Sequence, residues 1–179
     1  MTEHAIPIDP LPLDAVAPKR RAPAGATDTH FHIFGSTDRY KLSPDRMYEP
    51  SDASVTRYLA MAATLGIERM VVVNGSPYGP DNECIMDAIA EFGLDRARGV
   101  AVIDPATVTD ADFAAMHDRG IRGIRFNAIT AKTSLSALDD IARRIAPMGW
   151  DAEAGQTYSV SVSGITPAIS YEVQIVDCE

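Results

Sequence analysis

The stretch Met70-Val71-Val72-Val73-Asn74-Gly75-Ser76-Pro77 decides the fold. Four apolar residues run without a polar break and then stop at a polar, glycine-containing loop. A strand with one wet face alternates between apolar and polar residues. A continuous run fits a strand covered on both faces, as in a parallel sheet flanked by helices. Parallel neighbours need a crossover after every strand, and the crossover is usually a helix.

The same pattern recurs on both sides. After Met70–Val73, a helix is expected from near Asp81 to just before Gly93, with Ile85, Ala88, Ile89 and Phe92 as its buried stripe. The next strand is Gly99–Ile103, ending at Asp104-Pro105. Thr109 and Asp112 have the spacing of a capping box, with Asp in the usual place of Glu or Gln, so a helix starts there. Phe113 and Met116 face inward and Gly120 closes it, while His117 reads as a surface histidine. A fourth strand covers about Ile121–Phe126. Its helix carries Leu138, Ile141, Ala142 and Ile145 and stops at Pro147. Toward the N-terminus, a helix from near Ser54 to Leu65 sets Val55, Tyr58, Leu59 and Ala62 on one face, with Gly66 as a left-handed stop. A long loop, Gly35 to about Asp52, separates it from the first strand, Thr27–Phe34. Loops of this length in a compact domain are often functional.

Four successive strand–helix units predict an α/β chain built on a parallel sheet. An open doubly wound sheet and part of an eight-unit barrel both fit. No glycine-rich phosphate loop follows the first strand, so a dinucleotide fold has little support. Residues 1–26, broken by Pro7, Pro10, Pro12, Pro18 and Pro23, read as an extended arm over the domain, with Lys19-Arg20-Arg21 as a solvated charge run. Residues 27–150 hold the units. Residues 151–179 contain no histidine, lysine or arginine. They read as a β-rich tail with alternating strands at Tyr158–Val162 and Ile169–Val176 around a Gly164-Ile165-Thr166-Pro167 turn. That hairpin rhythm is foreign to the units before it and suggests a replaced or fused end.

The chain has 179 residues and a net charge of -9, which argues against a nucleic-acid partner. A small anionic substrate held by local arginines remains compatible. Cys84 and Cys178 lie far apart and suggest no disulfide framework, which fits a reducing cytoplasm. No run approaches the ~20 apolar residues of a membrane span, and the proline-broken start has no signal-peptide pattern.

In either architecture the site lies at the C-terminal ends of the strands. The polar residues there are His30, His32, Asn74, Ser76, Asp104, Arg125 and Asn127. Asp28, His30 and His32 alternate along the first strand and are expected to point the same way. Two imidazoles beside a carboxylate can hold a metal ion or polarise a carbonyl. The blander reading is a hydrogen-bonded histidine pair without chemistry.

Five stretches in order carry a family resemblance: Ala24 to Gly35 (AGATDTHFHIFG), Met47-Tyr48-Glu49-Pro50, Asn74-Gly75-Ser76 with Gly79-Pro80-Asp81-Asn82, Val102-Ile103-Asp104-Pro105, and Arg122-Gly123-Ile124-Arg125-Phe126-Asn127. With them, residues 24–150 resemble the amidohydrolase superfamily, and within it the 2-pyrone-4,6-dicarboxylate lactonase-like branch. The resemblance implies a TIM-barrel-type hydrolase with four (β/α) units present, a half barrel, opening a cyclic ester of a small carboxylic acid. It implies that His30 and His32 polarise the substrate carbonyl without a metal, or alternatively bind zinc or manganese that activates water. It also implies that Tyr48, Ser76 and Asn127 contact the substrate and that Arg125 grips a carboxylate. Two departures stand out. Beyond Arg125 only Lys132 is near as a second basic residue. The family's later histidine and its general-base aspartate have no counterpart here, leaving Asp28 or Asp104 as substitutes. The open edge of the fourth strand would then be covered by the tail or by a second copy. An inactive fragment with an oligomerising or regulatory role is the reading from another class.

Overall fold

A computed structural model of the chain describes residues 6–7, 17–127 and 137–155, with side chains described except at 6, 7, 127 and 153–155. In chain order the elements are β1 (Ile6–Pro7), β2 (Thr27–Phe31), β3 (Tyr48–Glu49), α1 (Val55–Leu65), β4 (Arg69–Val73), α2 (Glu83–Phe92), β5 (Ala97–Ala101), α3 (Asp110–Asp118), β6 (Ile121–Asn127), α4 (Leu138–Ile145) and β7 (Asp151–Gly155). Short 3-10 turns lie at Ser76–Tyr78 and Ala146–Met148. One sheet runs in the order β2-β4-β5-β6-β7, and every pairing in it is parallel. A helix follows each of its first four strands, as the apolar runs require.

The core lies between sheet and helices. Val72 of β4, Ile85 and Ile89 of α2, and Ile121 and Ile124 of β6 are each fully buried. Each such side chain contributes about 1.5–3 kcal/mol relative to exposure. Local signals end the helices as expected. Gly66 takes φ 85 and donates its N–H to Ala62 O, and the Thr109–Asp112 capping box is complete. A further device was not foreseen. Arginines near the strand starts cap the carbonyl ends of the helices: Arg21 on Ala63 O of α1, Arg96 on Phe92 O of α2, and Arg122 on His117 O of α3. Their charge also opposes the negative end of each helix dipole.

Three expectations are corrected. The first strand stops at Phe31 rather than Phe34, because the chain then turns and Phe34 bridges antiparallel to Ala53. The third strand runs Ala97–Ala101 rather than Gly99–Ile103. At its end the Asn82 side chain replaces the ladder: Oδ1 accepts from Val102 N at 3.0 Å and Nδ2 donates to Val102 O at 2.8 Å. Finally, residues 151–155, expected to open a β-rich tail with a hairpin rhythm, continue the parallel sheet instead. They form a fifth parallel strand, paired from Gly123↔Asp151 to Asn127↔Gly155, and this strand covers the edge of β6. The hairpin strands expected at Tyr158–Val162 and Ile169–Val176, and Lys132, lie outside the described residues.

The arm touches the domain where it is described. Ala22 N donates to Leu65 O, and β1 pairs parallel with β3, beside the long loop. Among the described residues no helix is long and apolar enough to cross a membrane.

Candidate active site

β2 carries the histidines, and a bulge decides where they face. Asp28 pairs with Met70 and Phe31 with Val72, so two residues of β2 oppose one of β4. An extra residue reverses the alternation beyond it. Asp28 therefore joins Phe31 on the helix side. Its Oδ2 accepts from Tyr58 OH of α1 at 3.1 Å, and Phe31 stacks on the Tyr58 ring at 3.7 Å between centroids. The expected alignment of Asp28 with both histidines does not hold, and Asp28 is no third member of the pair.

His30 and His32 meet edge to face, with ring centroids 5.4 Å apart. His32 Nδ1 lies 2.9 Å from Val73 O, at the end of β4. A carbonyl only accepts, so Nδ1 carries the hydrogen. In the neutral ring Nε2 is then the nitrogen that accepts a proton or ligates, and in the imidazolium it donates.

Phe34 gathers the other site residues around the pair. Its ring lies 6.1 Å from His32, 6.5 Å from Tyr48 and 5.7 Å from Tyr78. It also rests on Gly75, where a Cβ would come within 2.6 Å of its ring. Ser76, at the start of the turn, follows Gly75 directly. The Phe34 ring thus lies beside His32, Tyr48 and Gly75, while His30 meets His32 and Ser76 follows Gly75 in the chain. Sequence reasoning missed Phe34, whose signal was its place two residues after His32.

Asn74 is fully buried, and its role is local. Its Nδ2 ties the loop by donating to Gly79 O and Asp81 O, both at 3.0 Å, while Oδ1 has no partner. Asp104 is exposed, and its Oδ1 accepts from Ala106 N. Arg125 lies three strands from β2; its Nε is buried and makes no hydrogen bond. Asn127 ends β6, and only its backbone is described. His117 is half-buried rather than a surface residue: its Nδ1 accepts from Trp150 Nε1 at 2.8 Å.

A hydrolytic zinc site uses three protein ligands and an open position. His30 and His32 supply two, and Tyr58 engages Asp28. Among the described residues no group of three or more His, Cys, Asp or Glu side chains could hold a metal ion. The described donors alone therefore do not fit a hydrolytic metal.

Comparison with known proteins agrees with this architecture. Residues 27–157 match a family model described as amidohydrolase. A 2-pyrone-4,6-dicarboxylate hydrolase of Comamonas testosteroni is 39% identical over 136 residues, covering 74% of this chain and 44% of that protein. A 4-sulfomuconolactone hydrolase of Hydrogenophaga intermedia is 37% identical over 130 residues, covering 70% and 42%. Among solved structures, a probable 2-pyrone-4,6-dicarboxylic acid hydrolase from Acinetobacter baumannii, with citric acid bound, superposes with a TM-score of 0.65 at 25% identity. That match covers 73% of this chain and 49% of the other. The chain thus spans about half the length of the relatives it matches.

Proposed function

This chain belongs to the amidohydrolase family, and on that premise we propose that it opens the lactone of a small carboxylic acid. The observation that carries the reading is the His30–His32 pair, with the tautomer of His32 set by Val73 O. Relatives named as lactone hydrolases support the substrate class. In this reading the histidines polarise the lactone carbonyl. Water attacks the carbonyl carbon, the ring C–O bond breaks, and the ring oxygen leaves as a hydroxyl after taking a proton. Polarisation lowers the barrier by stabilising charge that grows on the carbonyl oxygen.

Tyr48 and Ser76 orient the substrate beside Phe34, and Asn127 contributes at the end of β6. Arg125 grips the carboxylate, for which a guanidinium fork is the matching partner. Asp28 is not the water-activating base, because its carboxylate is engaged by Tyr58 and the His30 backbone. The reaction needs no metal in this proposal.

The test is His30→Ala assayed against a panel of carboxylated lactones, beside the unmodified chain with and without chelator. Turnover is expected to vanish in the variant while the melt stays cooperative, and to survive chelation. Turnover retained by His30→Ala sinks the role of the pair. Loss on chelation, restored by zinc or manganese, replaces the metal-free mechanism with a metal-dependent one.

A further inference from the structure

The long loop that delivers Tyr48 is fastened from outside the site, at one carboxylate. Asp87 sits on α2 and meets three partners. Its Oδ2 accepts from Arg39 Nη2 at 2.6 Å and from Tyr40 OH at 2.9 Å, and its Oδ1 accepts from Arg119 Nη2 at 2.9 Å. Arg119 in turn donates to both oxygens of Glu83, each at 2.9 Å. Three segments therefore converge on Asp87: the loop, α2, and the end of α3.

The Tyr40 bond reaches furthest toward the site. Tyr40 is half-buried, and its ring lies against Gly35 so closely that a Cβ there would meet ring carbons at 2.6 and 2.7 Å. Gly35 is pinned on its other side, its N–H donating to Tyr78 OH at 3.0 Å. Gly35 directly follows Phe34, the ring that touches both His32 and Tyr48. Further along, Ser43 N donates to Pro77 O at 2.7 Å, holding the loop to the turn that carries Ser76. Packed contacts run from Asp87 through Tyr40 and Gly35 to Phe34.

We propose that Asp87 is a positioning residue: by holding Tyr40 against Gly35 it fixes Phe34, and through Phe34 it sets His32 and Tyr48 for the lactone. The kinetic part of this rests on the function proposed above. Its arms through Arg39 and Arg119 are substantially exposed and contribute little by themselves. The Tyr40 bond transmits the constraint, because it ends on a packed ring rather than in solvent.

The test compares Asp87→Ala, Tyr40→Phe and Arg119→Ala in the full chain by hydrogen exchange over residues 35–53 and by lactone kinetics. Asp87→Ala is expected to speed loop exchange roughly tenfold, and Tyr40→Phe to do so in the same segment, while Arg119→Ala leaves it near the unmodified rate. For turnover, Asp87→Ala is expected to lower kcat/KM by roughly tenfold to a hundredfold. In a Phe34→Ala background it should add no further loss, because both changes act through one ring. Loop exchange unchanged in Asp87→Ala and Tyr40→Phe, equal effects from Arg119→Ala, or additive losses with Phe34→Ala overturn the proposal. If the unmodified chain turns over no lactone, the functional reading fails instead, and the exchange data still decide whether Asp87 holds the loop.

Discussion

His32 Nδ1 and the Val73 carbonyl oxygen, 2.9 Å apart, join the ends of the first two sheet strands through a side chain where a backbone ladder would otherwise continue. The bond serves structure and chemistry with different atoms of one ring. An asparagine amide can reach the position of Nδ1 and has nothing at that of Nε2. His32→Asn is therefore expected to keep stability within about 1 kcal/mol, the worth of one ordinary hydrogen bond, and to lose lactone turnover. Urea melts and initial rates check this. A variant that stays active removes Nε2 from the mechanism.

Arg125 tests the substrate class. Its Nε is buried without a hydrogen bond. Lysine keeps the charge and loses the fork. Arg125→Lys is expected to raise KM for carboxylated lactones by roughly tenfold to a hundredfold, the scale of one charge-assisted hydrogen bond. Lactones without a carboxylate should be unaffected. Equal losses on both kinds of lactone argue that Arg125 is structural.

Tyrosine ionisation reports on the packing behind the site. Burial, reinforced by the hydrogen bond to Asp87, pushes the Tyr40 phenol from 10.0 up to about 12. Burial also raises Tyr58, helped by the Asp28 charge, and Tyr78, helped by Cys84. A raised folded value means the native state holds the proton more tightly than the unfolded chain. The associated stability is fully present below pH 10.0 and is lost as pH rises through the folded values. An ultraviolet titration is expected to find Tyr40, Tyr58 and Tyr78 resisting ionisation until the protein unfolds. Tyr58→Phe should leave two. Six tyrosines titrating together near the ordinary value contradict the packing.

Trp150 and His117 lock α3 to the start of the fifth strand. Trp150 is the one tryptophan in the chain and directly precedes β7. It packs edge to face on Phe113 of α3 at 5.8 Å and donates to His117 Nδ1 at 2.8 Å. His117→Phe leaves the indole N–H without its acceptor and is expected to cost about 1–3 kcal/mol. Tryptophan fluorescence should shift as the indole environment changes. An unchanged melt shows that water replaces the bond at no cost.

Some of this was legible because it is local. The apolar run at Met70–Val73 indicated a strand buried on both faces, and the strand–helix alternation implied the parallel sheet. Gly66 and the Thr109–Asp112 box act within one helical turn, so their spacing alone exposed them. The motif stretches marked His30, His32, Tyr48 and Ser76; of these, His32 and Tyr48 lie beside Phe34, and His30 meets His32. The roles of those residues are chemistry, which neither spacing nor packing assigns.

What the tertiary structure alone decided involves partners distant in the chain. Alternation placed Asp28 beside the histidines, yet its side is set by the register of β2 on β4, more than forty residues away, where a bulge turns it to Tyr58. Asp151–Gly155 has too few apolar residues to read as a strand of the sheet, and it pairs as one along the edge that β6 offers. His117 looked solvated until Trp150, thirty-three residues on, supplied its donor. Sequence determined the elements through short-range sterics and burial periodicity. Register, edge pairing and side-chain partnership came only when the folded chain brought those distant groups within hydrogen-bonding reach.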